Sequence, residues 1–404
     1  MAAGTCSSRG LKVLVLEQML KPGMKLLATG GGRCNLTIAR SADEIMAAFG
    51  RQGRFMASAL ARLDSNGLRS LFHSCGVDTV AQEDGCVFPA SNSAASILDA
   101  LLGRLDPQRT VLLSSSRVIG ILADQGRVCG IRTKNDTYSA GAVILATGGR
   151  SYPGLGGSGS GYELAASVGH TIRPIVPALV PLVTQELWPG TLAGVVMPDV
   201  EIRVISKSAK SPVTRGGLLF THSGLSGPAI LNISGAVAEL LQKELCVELQ
   251  LNFFPGEEEQ AWRRRFEQWR QLSGGSRIVK LLQDFMPRGL ARQLCVLAGD
   301  DSARSTAGHL RREQMQKILQ GLTGMRLTIT DTEGFDRAMI TRGGVSLKEV
   351  DRGTLQSKLL KGLYFAGEVL DLDGPCGGYN LQWAFSGGML AAESCADSKN
   401  FYRH

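Results

Sequence analysis

Three short apolar runs along the chain are candidates for buried strands. They are residues 12–17 (Lys-Val-Leu-Val-Leu-Glu), 142–147 (Ala-Val-Ile-Leu-Ala-Thr) and 363–366 (Leu-Tyr-Phe-Ala). Runs that are apolar on both faces are typical of parallel strands covered by helices on each side. Glycines follow the second and third runs, where a buried strand would deliver the chain to a ligand. The predicted fold class is therefore α/β.

Helical and β-like patterns alternate in the segments around these runs. Residues 42–75, 94–104 and 381–395 have the apolar spacing of helices. Residues 110–133 form short β-like runs around Asp124-Gln125-Gly126. Glycine in such a short connection predicts a hairpin turn.

The middle of the chain has a different pattern. β-like runs at 178–184, 200–206 and 246–253 precede a polar, charged and helical stretch. The α/β pieces thus lie at the two ends, which predicts one nucleotide-binding domain split by an insertion. The predicted parts are a discontinuous nucleotide-binding domain (1–180 and 335–404), an inserted β domain (181–254 plus 326–334) and a helical insertion (255–325).

Composition narrows the class of protein. Of the 404 residues, 44% are hydrophobic and 20% are charged, as in an ordinary globular protein. The nine cysteines include no Cys-x-x-Cys pair, so no metal site is predicted. Their wide spacing indicates reduced thiols and a cytoplasmic location. No stretch approaches the ~18 apolar residues of a membrane span and no signal peptide is recognisable, so no membrane partner is expected.

The charge balance adds one possibility. The net charge of +8 favours polyanions such as RNA or nucleotides. The densest basic cluster, Arg263-Arg264-Arg265, is typical of the solvated face of an amphipathic helix.

Glycine-rich segments carry most of the candidate chemistry. In Thr29-Gly-Gly-Gly-Arg-Cys-Asn35, three glycines leave main-chain N–H groups unobstructed, while Arg33 adds a charge and Asn35 an amide. Such a string could hold a pyrophosphate or the edge of a flavin. The segment Ala146-Thr147-Gly148-Gly149 follows a predicted strand and would let the backbone pass over a dinucleotide.

Two acidic segments extend this pattern. Glu17 ends the first predicted strand, where a carboxylate can bind a ribose diol. The third strand delivers Gly367 and Glu368, and the turn Gly377-Gly378-Tyr379-Asn380 then opens the last helix. The partial positive charge of a helix N-terminus suits an electron-rich flavin pyrimidine edge.

Candidate acid–base residues are few. His222 lies in the polar turn Thr-His-Ser-Gly and is a candidate proton donor or flavin-edge contact. Cys34 could donate a proton to an enone being reduced, although a packing role is about as common. Cys376 could lie near a flavin, and the alternative is a small buried residue.

Together these segments resemble the BaiN/RdsA family of NAD(P)/FAD-dependent oxidoreductases, the aminoacetone-oxidase-like flavoproteins. The likeness extends to 83–89, 161–170, 177–182, 219–228 and 341–345 and so covers nearly the whole chain. It implies a discontinuous, Rossmann-type FAD-binding domain whose FAD is reduced by NAD(P)H. No second Gly-x-Gly-x-x-Gly follows a clear strand in the sequence, so we expect NAD(P)H to dock transiently. It implies FAD contacts at these residues: Glu17, Lys25, Thr29, Gly30, Gly31, Gly32, Arg33, Cys34, Asn35, Val118, Ala146, Thr147, Gly148, Gly149, Gly367, Glu368, Asp373, Gly377, Gly378, Tyr379, Asn380 and Leu381.

The family pattern opens with a strand and a Gly-x-Gly-x-x-Gly turn, and here only Met1-Ala-Ala-Gly4 precedes Thr5 to Gly10. The expectation is that this first strand and turn are missing. Three functions stay open: an FAD-dependent reductase of C=C bonds in an organic substrate, a dihydrouridine synthase acting on large-subunit ribosomal RNA, and a truncated, inactive flavoprotein.

Overall fold

The computed structural model describes residues 1–205, 212–300 and 303–400, with side chains up to residue 398. The chain divides into two compact units. Unit 1 comprises Met1–Val176 and Met339–His404, and unit 2 comprises Pro177–Ala338. The predicted division into three domains stays a prediction; its outer boundaries differ from those of the two units by a few residues.

Unit 1 mixes helices with short strands, here numbered along the whole chain. Its helices are α1 (Ala2–Ser8), α2 (Met24–Ala28), α3 (Ala42–Ala48), α4 (Ala57–Arg62), α5 (Ser65–Ser74), α6 (Ala94–Gly103), α7 (Ser160–Ser167) and α13 (Tyr379–Asn400). Its strands are β1 (Val13–Leu16), β2 (Thr37–Ile38), β3 (Thr79–Ala81), β4 (Cys86–Pro89), β5 (Thr110–Leu113), β6 (Val118–Asp124), β7 (Arg127–Thr133), β8 (Thr137–Ser139), β9 (Val143–Leu145), β17 (Ile340–Val345) and β18 (Leu363–Phe365), with β10 (Ile172–Ala178) crossing into unit 2.

The three apolar runs form parallel strands, as predicted. β1 pairs with β5, and β18 pairs with β9, both in parallel register. β18 is buried along its length, whereas Leu14 in β1 is 37% exposed and its neighbours are half-buried. The prediction that 12–17 is buried is therefore wrong, because β1 is covered less completely than a central strand. Helix α1 precedes β1.

The predicted hairpin and helices of unit 1 are confirmed. β6 and β7 pair antiparallel up to Asp124 and Arg127, and the two residues between them, Gln125 and Gly126, have φ of 46° and 74°. Positive φ at both loop residues matches the right-handed twist of the strands. The 42–75 stretch contains α3, α4 and α5, broken by short turns.

Unit 2 is built on a closed six-stranded barrel with the order β11-β14-β13-β12-β15-β16. The barrel strands are β11 (Leu182–Thr184), β12 (Val196–Ile205), β13 (Val213–Phe220), β14 (Gly224–Ser226), β15 (Val247–Asn252) and β16 (Met325–Thr332). The helices are α8 (Pro228–Leu241), α9 (Glu259–Leu272), α10 (Ile278–Leu282), α11 (Arg288–Leu297) and α12 (Arg312–Gly324). A core including Phe220, Trp262 and Leu290 joins the barrel to these helices.

One predicted strand of unit 2 is wrong as a single element. The 178–184 run breaks between Ala178 and Leu182, where Leu179 has a φ of 49°. Pro181 also lacks the N–H group that a ladder needs. In the described part of the chain, no helix is both long and apolar enough to cross a membrane.

Candidate functional site

A half-buried carboxylate organises the candidate site of unit 1. Glu368 follows β18, and its Oε1 accepts hydrogen bonds from the Thr341 backbone N–H (2.9 Å) and the Ser151 hydroxyl (3.1 Å). Its Oε2 pairs with the Lys25 ammonium at 2.8 Å. Lys25 also donates to Ser151 Oγ at 2.7 Å. We call Lys25, Ser151, Thr341 and Glu368 the Glu368 cluster.

Gly149 makes this cluster possible. A Cβ atom on Gly149 would collide with Glu368 Oε1 and with the side chain of Thr341. The Thr341 hydroxyl in turn accepts the backbone N–H groups of Arg150 (2.8 Å) and Ser151 (3.2 Å). Only glycine lets the chain after β9 lie this close to the end of β18.

The glycine loop after α2 presents bare backbone. Gly30, Gly31 and Gly32 have φ values of 58°, 67° and 86°, and all three are exposed. A Cβ on Gly31 would meet nothing within 4 Å. Arg33 is also exposed, but its guanidinium lies 4.4 Å from the centroid of the Phe88 ring. The loop therefore offers main-chain groups to a ligand more directly than it offers the Arg33 charge.

Cys34 ends this loop and is fully buried, with a φ of 61°. Burial raises the pKa of its thiol to about 11, and a contact with the Thr29 hydroxyl offsets this only in part. The sulfur is consequently a protonated thiol at neutral pH. It could give up a proton but is poorly suited to act as a thiolate nucleophile.

The glycine turn before α13 forms the other side of this region. Gly377 and Gly378 have φ of 118° and 93°, and a Cβ on Gly378 would collide with the Thr37 carbonyl. The Asn35 amide, oriented so that both its ends are satisfied, donates to Thr37 O at 3.0 Å. The structure therefore brings together the 29–37 segment and the turn before α13.

Two predicted contacts are engaged elsewhere. The Asn380 side chain accepts from Gly374 N (2.8 Å) and donates to Gly374 O (2.9 Å), which braces its own turn. The Asp373 carboxylate accepts hydrogen bonds from Arg342 Nε and Nη2 at 2.9–3.1 Å, and the Asp373 side chain is 10% exposed. Their predicted roles in binding FAD stay predictions, although both side chains already have partners.

Among the remaining predicted residues, several lie at strand ends. One carboxylate oxygen of Glu17 accepts a hydrogen bond from the Met19 backbone N–H at 2.8 Å. Ala146 and Thr147 are exposed just after β9, and Thr147 packs against Gly161 of α7. Gly148 has a φ of 69° with open space at its Cβ position.

Four more predicted residues mainly pack within unit 1. Val118 begins β6 and packs on the core, and Leu381 packs beside Phe385. The Tyr379 ring meets Phe49 edge-on at 6.4 Å, and Gly367 O accepts the Trp383 indole at 3.3 Å. His222, in contrast, belongs to unit 2, where it is exposed in the turn between β13 and β14.

Residue-by-residue reasoning missed three members of the polar region. Ser151 and Thr341 lie in glycine-rich segments. A hydroxyl residue near a glycine, where the backbone allows a close contact, could have marked both as site residues. Tyr162 is 5% exposed on α7, and its hydroxyl lies near Thr341 without a hydrogen bond of full geometry. Burial, and next the charge of Glu368, raises the pKa of Tyr162. Nothing in the α7 pattern marks this tyrosine.

Comparison with known proteins identifies the family. Residues 1–394 match the family described as HI0933-like protein Rossmann domain. The chain belongs to this family. A 3-dehydro-bile acid delta(4,6)-reductase of Clostridium scindens is 34% identical over 98% of this chain and 95% of its own length. A ribosomal RNA dihydrouridine synthase of Escherichia coli is 31% identical over 97% of this chain and 94% of its own length.

Solved structures add support for the fold of this HI0933-like protein. The Mycobacterium smegmatis Sdh1 complex in the apo form has a TM-score of 0.51 at 14% identity, covering 99% of this chain and 66% of that one. A quinol-fumarate reductase with menaquinol molecules has a TM-score of 0.50 at 16% identity, covering 100% and 69%. The predicted family, the α/β Rossmann-type fold and the oxidoreductase class are thus confirmed, with FAD as the cofactor that this domain binds.

The residues of unit 1 fit FAD. The exposed glycine loop and Gly148 offer backbone without a Cβ at their surface, as a pyrophosphate needs. The free N–H groups at the start of α13 favour negative charge. Glu368 supplies a carboxylate that is 21% exposed, which suits a sugar or ribityl hydroxyl.

Proposed function

We propose that this protein reduces a carbon–carbon double bond conjugated with a carbonyl in a small organic substrate. Bound FAD would carry the hydride from NAD(P)H to the substrate's β-carbon. The observation that carries the proposal is the 34% identity, over 98% of the chain, to a protein named 3-dehydro-bile acid delta(4,6)-reductase. Such a name describes double bonds conjugated with a 3-oxo group.

The chain must hold the cofactor and supply the proton for this reaction. The backbone of Gly30–Gly32 and the first turn of α13 would bind the negatively charged and electron-rich parts of FAD. Glu368 would accept a hydroxyl of the ribose or ribityl chain. Hydride at the β-carbon and a proton at the α-carbon together add the two hydrogen atoms.

Cys34 is our first candidate for the proton donor. Its thiol is protonated at neutral pH because burial raises its pKa to about 11. A donor with so high a pKa needs a strongly basic acceptor, which the enolate formed by hydride addition provides. His222, the other predicted proton donor, belongs to unit 2, and its role stays a prediction.

The first experiment separates the two half-reactions. The protein would be saturated with FAD, and its flavin band near ~450 nm would be followed without oxygen as NADH or NADPH is added. A 3-oxo-4,6-diene bile acid is then added, and mass spectrometry detects a gain of two hydrogen atoms. A protein that keeps FAD yet never transfers reducing equivalents to any conjugated ketone would contradict the proposal.

The matched variants Cys34→Ser and Cys34→Ala test the proton donor. Neither replacement is larger than the fully buried Cys34, but only serine retains a side-chain hydrogen on a heteroatom. If Cys34 donates the proton, Cys34→Ala should slow substrate reduction by 10²–10⁴-fold, the usual range for general acids. NAD(P)H should still bleach the flavin at its normal rate. Normal substrate reduction by Cys34→Ala would show that Cys34 is not the donor.

A second candidate function is dihydrouridine formation in ribosomal RNA. Two relatives carry that name at 31% identity, and the net charge of +8 would favour a polyanion. Uracil also has a C=C bond conjugated with a carbonyl, so the hydride chemistry is the same. Arg263 and Arg265 of the predicted basic cluster, however, pair with Glu259 and Glu257.

The two substrates can be compared in one assay. Reduced enzyme would be mixed with a transcript of large-subunit ribosomal RNA or with the bile acid, and product followed by mass. Turnover of RNA that falls steeply with added salt, with no turnover of the bile acid, would reverse our preference. Loss of both activities together with loss of FAD binding would favour an inactive flavoprotein.

A further inference from the structure

We propose that Cys86 and Cys376 form a reversible disulfide that links β4 to the glycine turn before α13. Neither the family nor the relatives' names assign a role to this pair. The proposal concerns a modification site of unit 1 and can be tested without FAD or substrate.

The two cysteines are brought together by distant parts of the chain. Cys86 begins β4, where it pairs in register with Ile38 of β2. Its Sγ lies 3.7 Å from the Cβ position of Gly377, the residue directly after Cys376. All nine cysteines are thiols in the structure. Cys6, Cys34, Cys295 and Cys395 are buried, whereas Cys376 is exposed and Cys86 is partly accessible.

The residue after Cys376 is a glycine, so no side chain at 377 opposes a small change of the backbone at Cys376. A disulfide requires Cα atoms about 4.4–6.8 Å apart with a defined dihedral angle. Gly377 and Gly378 follow Cys376 at φ of 118° and 93°, a region that glycine occupies without strain. On the other side, Asn380 holds Gly374 through its amide. Asn380 also donates to Pro375 O at 3.2 Å and Gly378 lies against the Thr37 carbonyl, so any adjustment falls on Cys376 and Gly377.

The surroundings of the pair raise the pKa of both thiols. Desolvation of the sulfur by nearby protein atoms is the main cause, even at Cys376, where the residue as a whole is exposed, and the Asp84 carboxylate raises the pKa of both further. Asp84 also accepts the Cys86 backbone N–H at 2.9 Å. The thiolate is the reactive species, so oxidation of the pair should accelerate as the pH rises.

The chemistry balances with hydrogen peroxide as the oxidant. One thiolate attacks the peroxide, the O–O bond breaks, and a sulfenic acid and hydroxide form. The second thiolate then displaces the sulfenic oxygen as hydroxide, and the S–S bond forms. Two thiols are oxidised to one disulfide, peroxide is reduced to two waters, and a thiol reductant reverses the change.

The link would fix the turn against the 29–37 segment. Gly378 already lies against the Thr37 carbonyl, and Asn35 is beside it. If the proposed FAD site is right, oxidation should slow FAD release, because the turn before α13 could no longer move away from β4. This consequence depends on the proposed function, whereas the disulfide itself does not.

The experiment maps thiols directly. Fully reduced protein, freed of reductant, is treated with hydrogen peroxide, alkylated and digested for peptide mass spectrometry. The expected result is one cross-linked peptide pair joining Cys86 to Cys376, with two thiols lost per chain and full recovery in dithiothreitol. Cys86→Ser and Cys376→Ser should each abolish this pair. Cys246→Ser, at an exposed cysteine of unit 2, is the matched control and should leave it unchanged.

Two further measurements make the test decisive. The rate should rise roughly tenfold per pH unit below the thiol pKa, and Asp84→Asn should raise it at neutral pH. Over-oxidised, unlinked Cys86 and Cys376, or a link between two chains, would overturn the proposal. Failure to bind FAD or to reduce a substrate would leave the thiol map unaffected, so the two proposals fail separately.

Discussion

Unit 1 contains two ion pairs built on predicted cofactor residues, and they differ in how the cation binds the carboxylate. Arg342 holds Asp373 through two nitrogens at 2.9–3.1 Å, and the Asp373 side chain is 10% exposed. Lys25 meets Glu368 through one contact of 2.8 Å, and Glu368 is 21% exposed.

This difference indicates separate roles. The Arg342–Asp373 pair is structural, whereas Lys25 could release the Glu368 carboxylate to a ligand. A guanidinium that binds both oxygens of a carboxylate separates from it only when both hydrogen bonds break. An ammonium on a flexible stem can turn to another anion at little cost, and here Ser151 already shares it. We therefore expect FAD binding to depend on the Lys25–Glu368 pair and folding to depend on the Arg342–Asp373 pair.

The largest effect should come from filling the space that the Glu368 pair needs. In Gly149→Ala the new Cβ would collide with Glu368 and Thr341, and neither can move without losing hydrogen bonds. Overpacking of this kind lowers the free energy of unfolding by about 1–3 kcal/mol. For Gly149→Ala we expect a loss near the upper end of this range, together with loss of FAD binding. Chemical denaturation and flavin fluorescence measure the two effects.

Gly154→Ala is the control for that substitution. Gly154 has no neighbour within 4 Å of its Cβ position and no positive φ. Its replacement should leave both stability and FAD affinity within error. If Gly149→Ala behaves like Gly154→Ala, the packing of Gly149 against Glu368 is not as described.

Breaking the Arg342–Asp373 pair should be the next largest effect. Asp373→Asn removes the charge that the Arg342 guanidinium faces in a mostly buried position. Breaking a buried pair costs about 3–5 kcal/mol and an exposed pair at most about 1 kcal/mol, so we expect about 2 kcal/mol here. The affinity for FAD should change less than twofold. A large loss of affinity without loss of stability would show that Asp373 contacts the cofactor after all.

The Lys25–Glu368 pair should give the opposite result. Glu368→Gln and Lys25→Met should each lower FAD affinity about tenfold, which corresponds to about 1.4 kcal/mol. The free energy of unfolding without FAD should fall by no more than about 1 kcal/mol, because the ion pair is partly exposed. In Glu368→Gln the side-chain oxygen can also still accept from the Thr341 N–H and the Ser151 hydroxyl. Fluorescence titration with FAD and urea denaturation test the two sides. Equal losses of stability in both pairs would remove the distinction drawn here.

Much of the fold could be read from the sequence because its signals are local. The runs before Gly148 and Gly367 are apolar throughout, and they form β9 and β18. Gly126 is the residue type that the second position of a two-residue hairpin loop favours. The exposure of Leu14 could not be read, because it depends on what covers β1 in space and not on the run itself.

The partners of the site residues were much harder to predict. Asp373 and Arg342 are 31 residues apart, and no spacing rule links them. Asn380 appeared to face a ligand, yet its amide closes the turn a few residues before it. Tyr162 lies on a helix with no polar motif, and only the tertiary fold brings it near Thr341. A glycine in the sequence indicates that another part of the chain can lie close to its backbone, but it does not show which side chain does so.

The smallest effect should be a change of pH dependence at Asp371, beside the Arg342–Asp373 pair. Burial, and next the Asp373 charge, raises the pKa of Asp371 above its ordinary value of 3.8, although Gln52, Arg173 and Arg342 oppose the shift. A raised folded-state pKa stabilises the fold below the unfolded pKa, and this contribution is lost as the pH rises through the folded pKa.

Asp371→Asn removes that titration, so its stability relative to wild type should improve between about pH 4 and about pH 7. We expect a change of about 0.5 kcal/mol or less, the scale of substitutions outside the core. In an Asp373→Asn background the improvement should shrink, because the like charge is gone and Arg342 can face Asp371. Denaturation of the four proteins at both pH values gives the coupling. An unchanged improvement in that background would mean that burial alone sets the Asp371 pKa, and that the Asp373 charge is fully neutralised by Arg342.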